Sequence, residues 1–321
     1  MREFAFEMTL CARLEGEGRL VSRQLGAGTR GRRVLDTVVV RPGPEFAART
    51  RITPERIPDA AIDADVGTGR ARYWKDCFDA HPDRARGVVE RACEVGFFER
   101  ERRSGRTYVR QTVRYPDWFA GLVGIENKPD LGRPGDLETQ LRKDVSLAVV
   151  DEIVLATESH VTRAHLNRIP EAVGVWRVDG ATGAYEVVRE PTPLPVRGAG
   201  VEVVEERTAE TRIRVVGASE KARLRRRIAE RAYGKGWRVP FPACPHVEER
   251  AVAGVGGIPF CTREERIVGP SDPCACAGAE TGDDEVPAVD VDTDARRDEH
   301  SPWVREPAGA RREQAGLDRF L

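Results

Sequence analysis

Three charged side chains, Asp36, Glu126 and Lys128, have the types and the surroundings needed for metal-assisted chemistry. Asp36 interrupts the apolar run of residues 33–40, which is typical of a buried strand, and a buried carboxylate without a partner is costly. Glu126 and Lys128 stand two positions apart, so in a strand they project to the same face. Two carboxylates can hold Mg²⁺ or Mn²⁺, and a lysine can orient water or stabilise charge on a phosphate. The pattern predicts a site that hydrolyses a phosphate ester.

Lysine is rare in this chain, which gives Lys128 more weight. Of the 52 basic residues only five are lysines: Lys75, Lys128, Lys143, Lys221 and Lys235. Where arginine is the default cation, a lysine is more often present for its own compact charge and flexible donors. The structural alternative is a surface ion pair between Glu126 and Lys128, with Asp36 in a capping or loop position.

The elements that must position these side chains alternate between helical and strand patterns. Apolar spacing predicts a helix over residues 3–15, strands at 21–24, 33–40 and 121–127, a helix at 137–150, a strand at 152–157, a helix at 160–168 and a strand at 173–178. Such alternation predicts an α/β fold, a sheet covered by helices. Further strands are predicted at 185–190 and within 201–216, followed by an arginine-rich helix at 219–233.

Residues 51–115 interrupt this alternation. Three short helices are predicted, the first opening at Thr53-Pro54-Glu55 and the others spanning 70–78 and 82–95. Two strands joined at Ser104-Gly105 follow. This order is similar to a winged helix, which predicts duplex DNA binding through phosphate contacts. The candidate arginines are Arg84, Arg86, Arg91, Arg100, Arg102, Arg103 and Arg106. The alternatives are a solvated arginine-rich face or a protein-binding winged helix.

The order of elements around Asp36 and the Glu126-Asn127-Lys128 triplet resembles the PD-(D/E)XK nuclease superfamily over residues 3–40 and 120–178. The resemblance implies that Glu7, on the first helix, is an additional metal ligand, with Glu3 as its rival one turn away. It also implies that Gln140, on the helix after the triplet, supports catalysis. Two features depart from the pattern. Leu35 stands where a proline is usual, and 90 positions (126 − 36) separate the two acids.

The resemblance implies a restriction-endonuclease-like core formed by residues 1–50 and 116–180, with the winged-helix-like domain inserted at 51–115 and a strand and helix extension at 181–240. It further implies a haloarchaeal DNA nuclease of repair or replication that needs Mg²⁺ or Mn²⁺ and acts as an endo- or exodeoxyribonuclease. A non-catalytic DNA-binding or scaffold protein on the same fold is the second interpretation. An enzyme acting on another phosphate ester is the third.

Four cysteines cluster in residues 241–279: Cys244, Cys261, Cys274 and Cys276. In a reducing compartment such clustering favours a metal over disulfides. Structural Zn²⁺ is the preferred interpretation and an iron–sulfur cluster the alternative, with His246 able to replace one thiol. Free thiols in a loop are the remaining possibility.

Residues 280–313 are predicted to be a disordered linker, since residues 280–300 hold nine acids and only two arginines. The last eight residues, 314–321, are similar to a peptide that binds the DNA sliding clamp. The residues that carry this similarity are Gln314, Leu317, Phe320 and Leu321. Such a peptide forms a helical turn whose apolar side chains enter a pocket on its partner. The alternative is a tail that docks on its own domain.

The composition limits the other function classes. A hydrophobic content of 40%, a charged content of 33% and a net charge of −1 are typical of a globular protein with some polar, unstructured length. No apolar run approaches the roughly 20 residues that span a bilayer. Acidic residues within the first seven positions argue against a signal peptide. We therefore expect a cytoplasmic protein without a membrane partner.

Overall fold

A computed structural model describes residues 3–27, 33–133, 135–270 and 289–307 of the chain. The helices in these ranges are α1 (Glu3–Gly16), α2 (Phe46–Thr50), α3 (Asp59–Ile62), α4 (Pro82–Glu94), α5 (Leu137–Leu147), α6 (Arg163–Leu166), α7 (Ala218–Lys235) and α8 (Thr293–His300). The first strands are β1 (Leu20–Gly26), β2 (Val34–Pro42), β3 (Arg72–Tyr73), β4 (Phe98–Arg103), β5 (Arg106–Gln111), β6 (Phe119–Asn127) and β7 (Glu152–Thr157). The later strands are β8 (Gly174–Val178), β9 (Tyr185–Arg189), β10 (Gly200–Glu206), β11 (Thr211–Val216), β12 (Val247–Val252), β13 (Val255–Cys261) and β14 (Arg266–Ile267).

A six-stranded mixed sheet forms the centre of the fold, in the order β1-β2-β6-β7-β8-β9. β1, β2 and β6 are antiparallel neighbours, β6, β7 and β8 are parallel, and β9 returns antiparallel to β8. The parallel step from β6 to β7 is made through α5, as a crossover requires. The prediction of an α/β fold is confirmed.

Helices cover both faces of this sheet. α1 packs with the small sheet β12-β13-β14 on one face, where Phe6, Leu10 and Val39 share an apolar core. α5 and α7 cover the other face, where Val38 belongs to a second core with Leu141 and Ile228. Val38 and Val39 point to opposite cores because successive side chains of a strand alternate between faces. Apolar cores on both faces therefore hold in place the sheet whose strands carry Asp36 and Glu126.

The segment between β2 and β6 leaves the sheet after β2 and returns beside the end of β2 to begin β6. Gly43 N–H donates to Trp118 O at 2.7 Å, and a Cβ at Gly43 would lie 2.9 Å from the backbone of Trp118 and Phe119. Only glycine permits this approach. The intervening residues form their own apolar core and a three-stranded sheet in the order β3-β5-β4.

Within that segment the middle helix expected at residues 70–78 is wrong. Residues 72–73 form β3, which pairs with Tyr108 and Val109 of β5, and residues 74–76 form a single 3₁₀ turn. An extended pairing followed by one tight turn buries Ala71, Trp74 and Cys77, so these apolar residues need no helix to reach the core. A short helix after Pro54 is found later than expected, at α3.

The disordered linker predicted for residues 280–313 does not hold for residues 289–307. This stretch contains α8, and Arg297 and Trp303 are buried. The Arg297 guanidinium lies 4.5 Å from the Trp303 ring and donates to Ala232 O. Trp303 Nε1 donates to Pro54 O at 3.1 Å. Acidic composition argued for disorder, but Arg297 anchors the segment to α7 and Trp303 anchors it to Pro54. None of the helices in the described ranges is long and apolar enough to cross a membrane.

Candidate functional site

Asp36 and Glu126 face each other across neighbouring strands. β2 and β6 pair antiparallel with Thr37 opposite Ile125, which places Asp36 across from Glu126. The Asn127 backbone N–H donates to Asp36 Oδ2 at 2.9 Å and holds that carboxylate at the end of the strand pair. The predicted juxtaposition of the two acids is present in the structure.

The surroundings of both carboxylates destabilise their charged forms. Burial raises the pKa of Asp36 above its ordinary value, although the Asn127 hydrogen bond lowers it. Burial, together with the nearby negative charge of Asp36, raises the pKa of Glu126 to about 7, although Arg33 lowers it. Two buried acids that repel each other are stabilised by a cation, so the pair is suited to holding one.

Lys128 and Gln140 line the same cavity as this acid pair. The cavity has a volume of about 420 Å³ and is also bordered by Glu3 and Arg33. The Lys128 backbone N–H donates to Ala156 O at 2.9 Å, which extends the pairing of β6 with β7 to this residue. The structure thus brings four predicted residues, from β2, β6 and α5, around one opening.

Glu7 is linked to the site without lining the cavity. It is 4% exposed and accepts hydrogen bonds from Arg23 Nη2 at 2.6 Å and Gln24 Nε2 at 3.0 Å. Gln24 Nε2 also lies 3.5 Å from Asp36 Oδ1 and so connects the two acids. Burial raises the pKa of Glu7, against the lowering effect of Arg23. Its rival Glu3 lines the cavity and is exposed.

Gln24 has a backbone conformation that few residues adopt. Its φ is +52°, in the left-handed region, although it lies inside β1. Lys235 Nζ, at the end of α7, donates to the Arg23 and Gln24 carbonyls at 2.8 and 2.9 Å. Such a conformation costs about 1–3 kcal/mol and persists only where other contacts enforce it. Lys235, which is outside the site, therefore helps to hold the Gln24 amide between the two acids.

Sequence reasoning missed two further residues of the site, Arg33 and Asp144. Arg33 Nη2 donates to Glu126 Oε2 at 2.6 Å, and Arg33 also donates twice to Asp144 on α5. One signal could have identified Asp144. It falls on the buried stripe of α5, seven positions after Leu137 and three after Leu141, where an acid needs a partner.

Arg33 gives two acids of the cluster a cationic partner. Within the described ranges, no three His, Cys, Asp or Glu side chains are gathered closely enough to hold an ion. Glu126 and Asp144 are instead paired with the guanidinium. The residues that would hold a hard cation are Asp36 and Glu126, since both are acids at one cavity and both are destabilised by burial.

All seven arginines predicted to bind DNA are exposed. Three of them, Arg84, Arg86 and Arg91, lie on α4, where three acids balance their charge. β4 and β5 carry five arginines and two glutamates, a net charge of +3 (5 − 2). Arg103 and Arg106 lie over the rings of Tyr108 and Tyr73, at 5.3 and 5.7 Å from the centroids. The cationic surface of this unit is therefore concentrated on the hairpin.

Two of the four clustered cysteines lie in the described ranges. Cys244 and Cys261 contact one apolar cluster, and neither forms a disulfide. The Glu264 N–H donates to Cys261 Sγ at 3.4 Å. His246 Nε2 is buried and has no hydrogen-bond partner among the described residues. Cys274 and Cys276 lie outside those residues, as do Gln314, Leu317, Phe320 and Leu321.

Comparison with known families identifies the group to which this fold and site belong. A family profile matches residues 20–281, which include β1, the acid pair and α5. The chain belongs to DUF5787, a family of unknown function. Neither the curated proteins nor the solved structures give a significant match.

Proposed function

We propose that the chain is a metal-dependent DNA nuclease of the PD-(D/E)XK type, with a restriction-endonuclease-like core. The observation that carries the proposal is the meeting of Asp36, Glu126 and Lys128 at one cavity, with both carboxylates destabilised by burial. The order α1, antiparallel β1-β2-β6, α5 and parallel β7 supports it, since these elements surround the site in the sequence that the resemblance implies.

Asp36 and Glu126 would hold Mg²⁺ or Mn²⁺. Glu7 is connected to Asp36 through the Gln24 amide, which contacts both acids. When bound, the ion supplies Lewis-acid polarisation of the phosphoryl group and acidifies a water. Lys128, at the same cavity, would orient the attacking water and stabilise the charge that develops on the phosphate. Gln140 lines the same cavity and would donate to the substrate.

Plasmid cleavage tests this proposal. Protein stripped with EDTA should leave supercoiled DNA intact, and added Mn²⁺ or Mg²⁺ should convert it to nicked or linear forms. The Glu126→Gln protein, which keeps the shape of the side chain without its charge, should remain inactive with either ion. Cleavage by the Glu126→Gln protein at the native rate would refute the proposal.

The pKa of Glu126 predicts how metal binding depends on pH. Its value of about 7 means that a proton competes with the ion below that pH, so Mn²⁺ affinity should rise as pH increases through 7 and then level off. The stability of the metal-free protein should change in the opposite direction. Protonated Glu126 contributes stability that is fully present below 4.5 and is lost as pH rises through about 7.

Calorimetric Mn²⁺ titrations on either side of pH 7, together with unfolding at the same pH values, check both halves of this prediction. The Glu126→Gln protein is the matched control, because it removes the titrating group. It should show a flatter stability profile between pH 4.5 and 7. A native Mn²⁺ affinity that does not change across this window would contradict the assignment of Glu126 as a ligand.

We further propose that the unit inserted between β2 and β6 is winged-helix-like and binds duplex DNA. Its elements run α3, β3, a 3₁₀ turn, α4, β4 and β5, and its sheet order is β3-β5-β4. The hairpin β4–β5 carries the net positive charge and would act as the wing. α4, which is charge-balanced, would contribute individual contacts from Arg84, Arg86 and Arg91.

Replacing Arg102, Arg103 and Arg106 with alanine should weaken duplex binding and reduce its dependence on salt. Each lost phosphate contact lowers the slope of log K against log salt by about 0.9, so a decrease of about 2 to 3 is expected. Fluorescence anisotropy at several salt concentrations measures this slope. The control is alanine at Arg177, Arg207 and Arg212, which are exposed on β8 and the β10–β11 ribbon. An equal loss in both triple variants would mean that only overall charge matters.

The cysteine cluster is proposed to hold structural Zn²⁺, with an iron–sulfur cluster as the alternative. Cys244 precedes β12, Cys261 ends β13, and both contact one apolar cluster, while the unpartnered Nε2 of His246 is a further donor. Cys274 and Cys276 would complete the set. Elemental analysis and the visible absorption spectrum of the native protein distinguish zinc, a cluster and no metal.

Recruitment by the sliding clamp is proposed for residues 314–321. The apolar side chains that would enter the clamp pocket are Leu317, Phe320 and Leu321, with Gln314 as the polar anchor. A labelled peptide of these residues should bind purified clamp, and Leu317→Ala should abolish binding. A peptide that ignores the clamp would remove this part of the proposal.

A non-catalytic DNA-binding or scaffold protein is the second candidate. Two observations favour it: Glu126 is paired with Arg33, and no group of three His, Cys, Asp or Glu side chains that could hold a metal is found in the described ranges. Such a protein would bind DNA in the same assays but would not cut it with any divalent ion.

A further inference from the structure

Two carboxylates on different elements hold Arg33 beside the cavity. Its Nε donates to Asp144 Oδ1 at 2.8 Å and its Nη2 donates to Asp144 Oδ2 at 2.5 Å. The same Nη2 donates to Glu126 Oε2 at 2.6 Å. Arg33 thus makes a two-point pairing with Asp144 and a single contact with Glu126. Asp144 is therefore the stronger of its two anchors.

A cation at the acid pair would conflict with the single contact. Glu126 cannot give its Oε2 fully to both a divalent ion and the guanidinium, and the two positive charges repel each other in this buried setting. The contact with Glu126 is the weaker one, so it should break first. The Asp144 pairing does not involve the acid pair and can persist after an ion binds.

A guanidinium that stays on Asp144 remains at the wall of the cavity. The Arg33 side chain is 18% exposed, compared with 9% and 7% for its two partners, and it lines the cavity with Lys128 and Gln140. Planar guanidinium groups match the geometry of phosphate oxygens. Once released from Glu126, Arg33 would present donors where the substrate phosphate must lie.

We propose that Arg33 occupies the cation position at Glu126 until a metal binds and then binds the substrate phosphate, with Asp144 as the positioning residue that retains it. The inference rests on the proposed nuclease function and adds a phosphate-binding group to the same site. It also explains why an arginine and a fourth acid accompany a site whose chemistry needs neither.

Mn²⁺ titration of the metal-free protein, without DNA, tests the first half. Arg33→Met removes the competing charge and should raise Mn²⁺ affinity about tenfold. Asp144→Asn removes the two-point anchor, so Arg33 should pair fully with Glu126 and Mn²⁺ affinity should fall about tenfold. The double variant should bind as tightly as Arg33→Met alone, because Asp144 acts only through Arg33. The matched control is Arg41→Met, which breaks an ion pair with Glu152 outside the cavity and should change nothing.

DNA binding in Ca²⁺ tests the second half. Arg33→Met should lose about tenfold in DNA affinity although it binds Mn²⁺ more tightly. Arg33→Lys keeps the charge without the planar fork and should recover part of the DNA affinity. Unfolding of each variant shows whether it is folded before these affinities are compared.

Weaker Mn²⁺ binding by Arg33→Met would overturn the inference, as would an Asp144→Asn effect that persists in the Arg33→Met background, since Asp144 would then be a metal ligand itself. Either result leaves the proposed function intact if Asp36→Asn still removes Mn²⁺ binding. Absence of Asp36-dependent Mn²⁺ binding in both the native and the Arg33→Met proteins would instead overturn the proposed function, and the inference with it.

Discussion

Replacing Asp36 with asparagine should abolish Mn²⁺ binding and reduce DNA cutting by about a thousandfold while leaving the fold stable. The reason is that Asp36 supplies one of the two negative charges at the cavity, and asparagine keeps the shape without the charge. The asparagine oxygen can still accept the Asn127 N–H bond. Calorimetry measures the lost binding, and single-turnover cleavage measures the lost rate.

Stability gives this variant its control. Burial raises the pKa of Asp36, so ionising the group at neutral pH costs the folded state free energy, and that cost disappears in Asp36→Asn. The free energy of unfolding should therefore be unchanged or higher. When neutralising a residue raises the free energy of unfolding and removes metal binding, that residue is present for function and not for stability. A variant that unfolds, or that cuts normally, would contradict this interpretation.

Replacing Glu230 with alanine should lower the free energy of unfolding by about 3–5 kcal/mol, since one partner of a buried ion pair would be left alone. Glu230 is 1% exposed and accepts two hydrogen bonds from Arg49, at 3.0 and 2.9 Å. It also accepts from Tyr115 Oη, and from Trp118 Nε1 at 3.1 Å. The carboxylate joins α7 to both ends of the inserted unit, so its loss should loosen that unit as well.

Urea unfolding of paired variants tests this account. The double variant Arg49→Met with Glu230→Leu replaces both charges with apolar groups and should cost less than Glu230→Ala alone. As the exposed control, Glu152→Gln breaks a pair with the half-exposed Arg41 and should cost less than about 1 kcal/mol. Equal losses in Glu230→Ala and Glu152→Gln would show that the buried pair does not hold the units together.

Much of the central fold could be predicted from residues close together in the sequence. The apolar runs of β2, β6 and β7 and the amphipathic spacing of α1, α5 and α7 identified the layers, because hydrophobic period reflects which face is buried. Asp36 was recognisable because it interrupts such a run with a charge that requires a partner, and Glu126 because it stands two positions before Lys128 in a strand.

The remaining features depend on contacts between distant parts of the chain. Arg33 and Asp144 are 111 positions apart, and no local pattern indicates that they pair. The left-handed Gln24 is enforced by Lys235, more than 200 positions later in the chain. Residues 289–307 have the composition of a linker and are ordered by two side chains, Arg297 and Trp303. Tertiary contacts override composition at each of these places.

Cutting of supercoiled plasmid by the native and the Lys128→Ala proteins, side by side with Mn²⁺, tests the central claim most directly. Both proteins should bind Mn²⁺ equally, because Lys128 is not a ligand, and the variant should cut at least about a hundredfold more slowly. Lys143→Ala is the control, since Lys143 also lies on a site element, α5, but pairs with Glu206 outside the cavity. The account predicts native cutting in that control. Equal cutting by all three proteins, or no cutting by the native protein with any divalent ion, would contradict it.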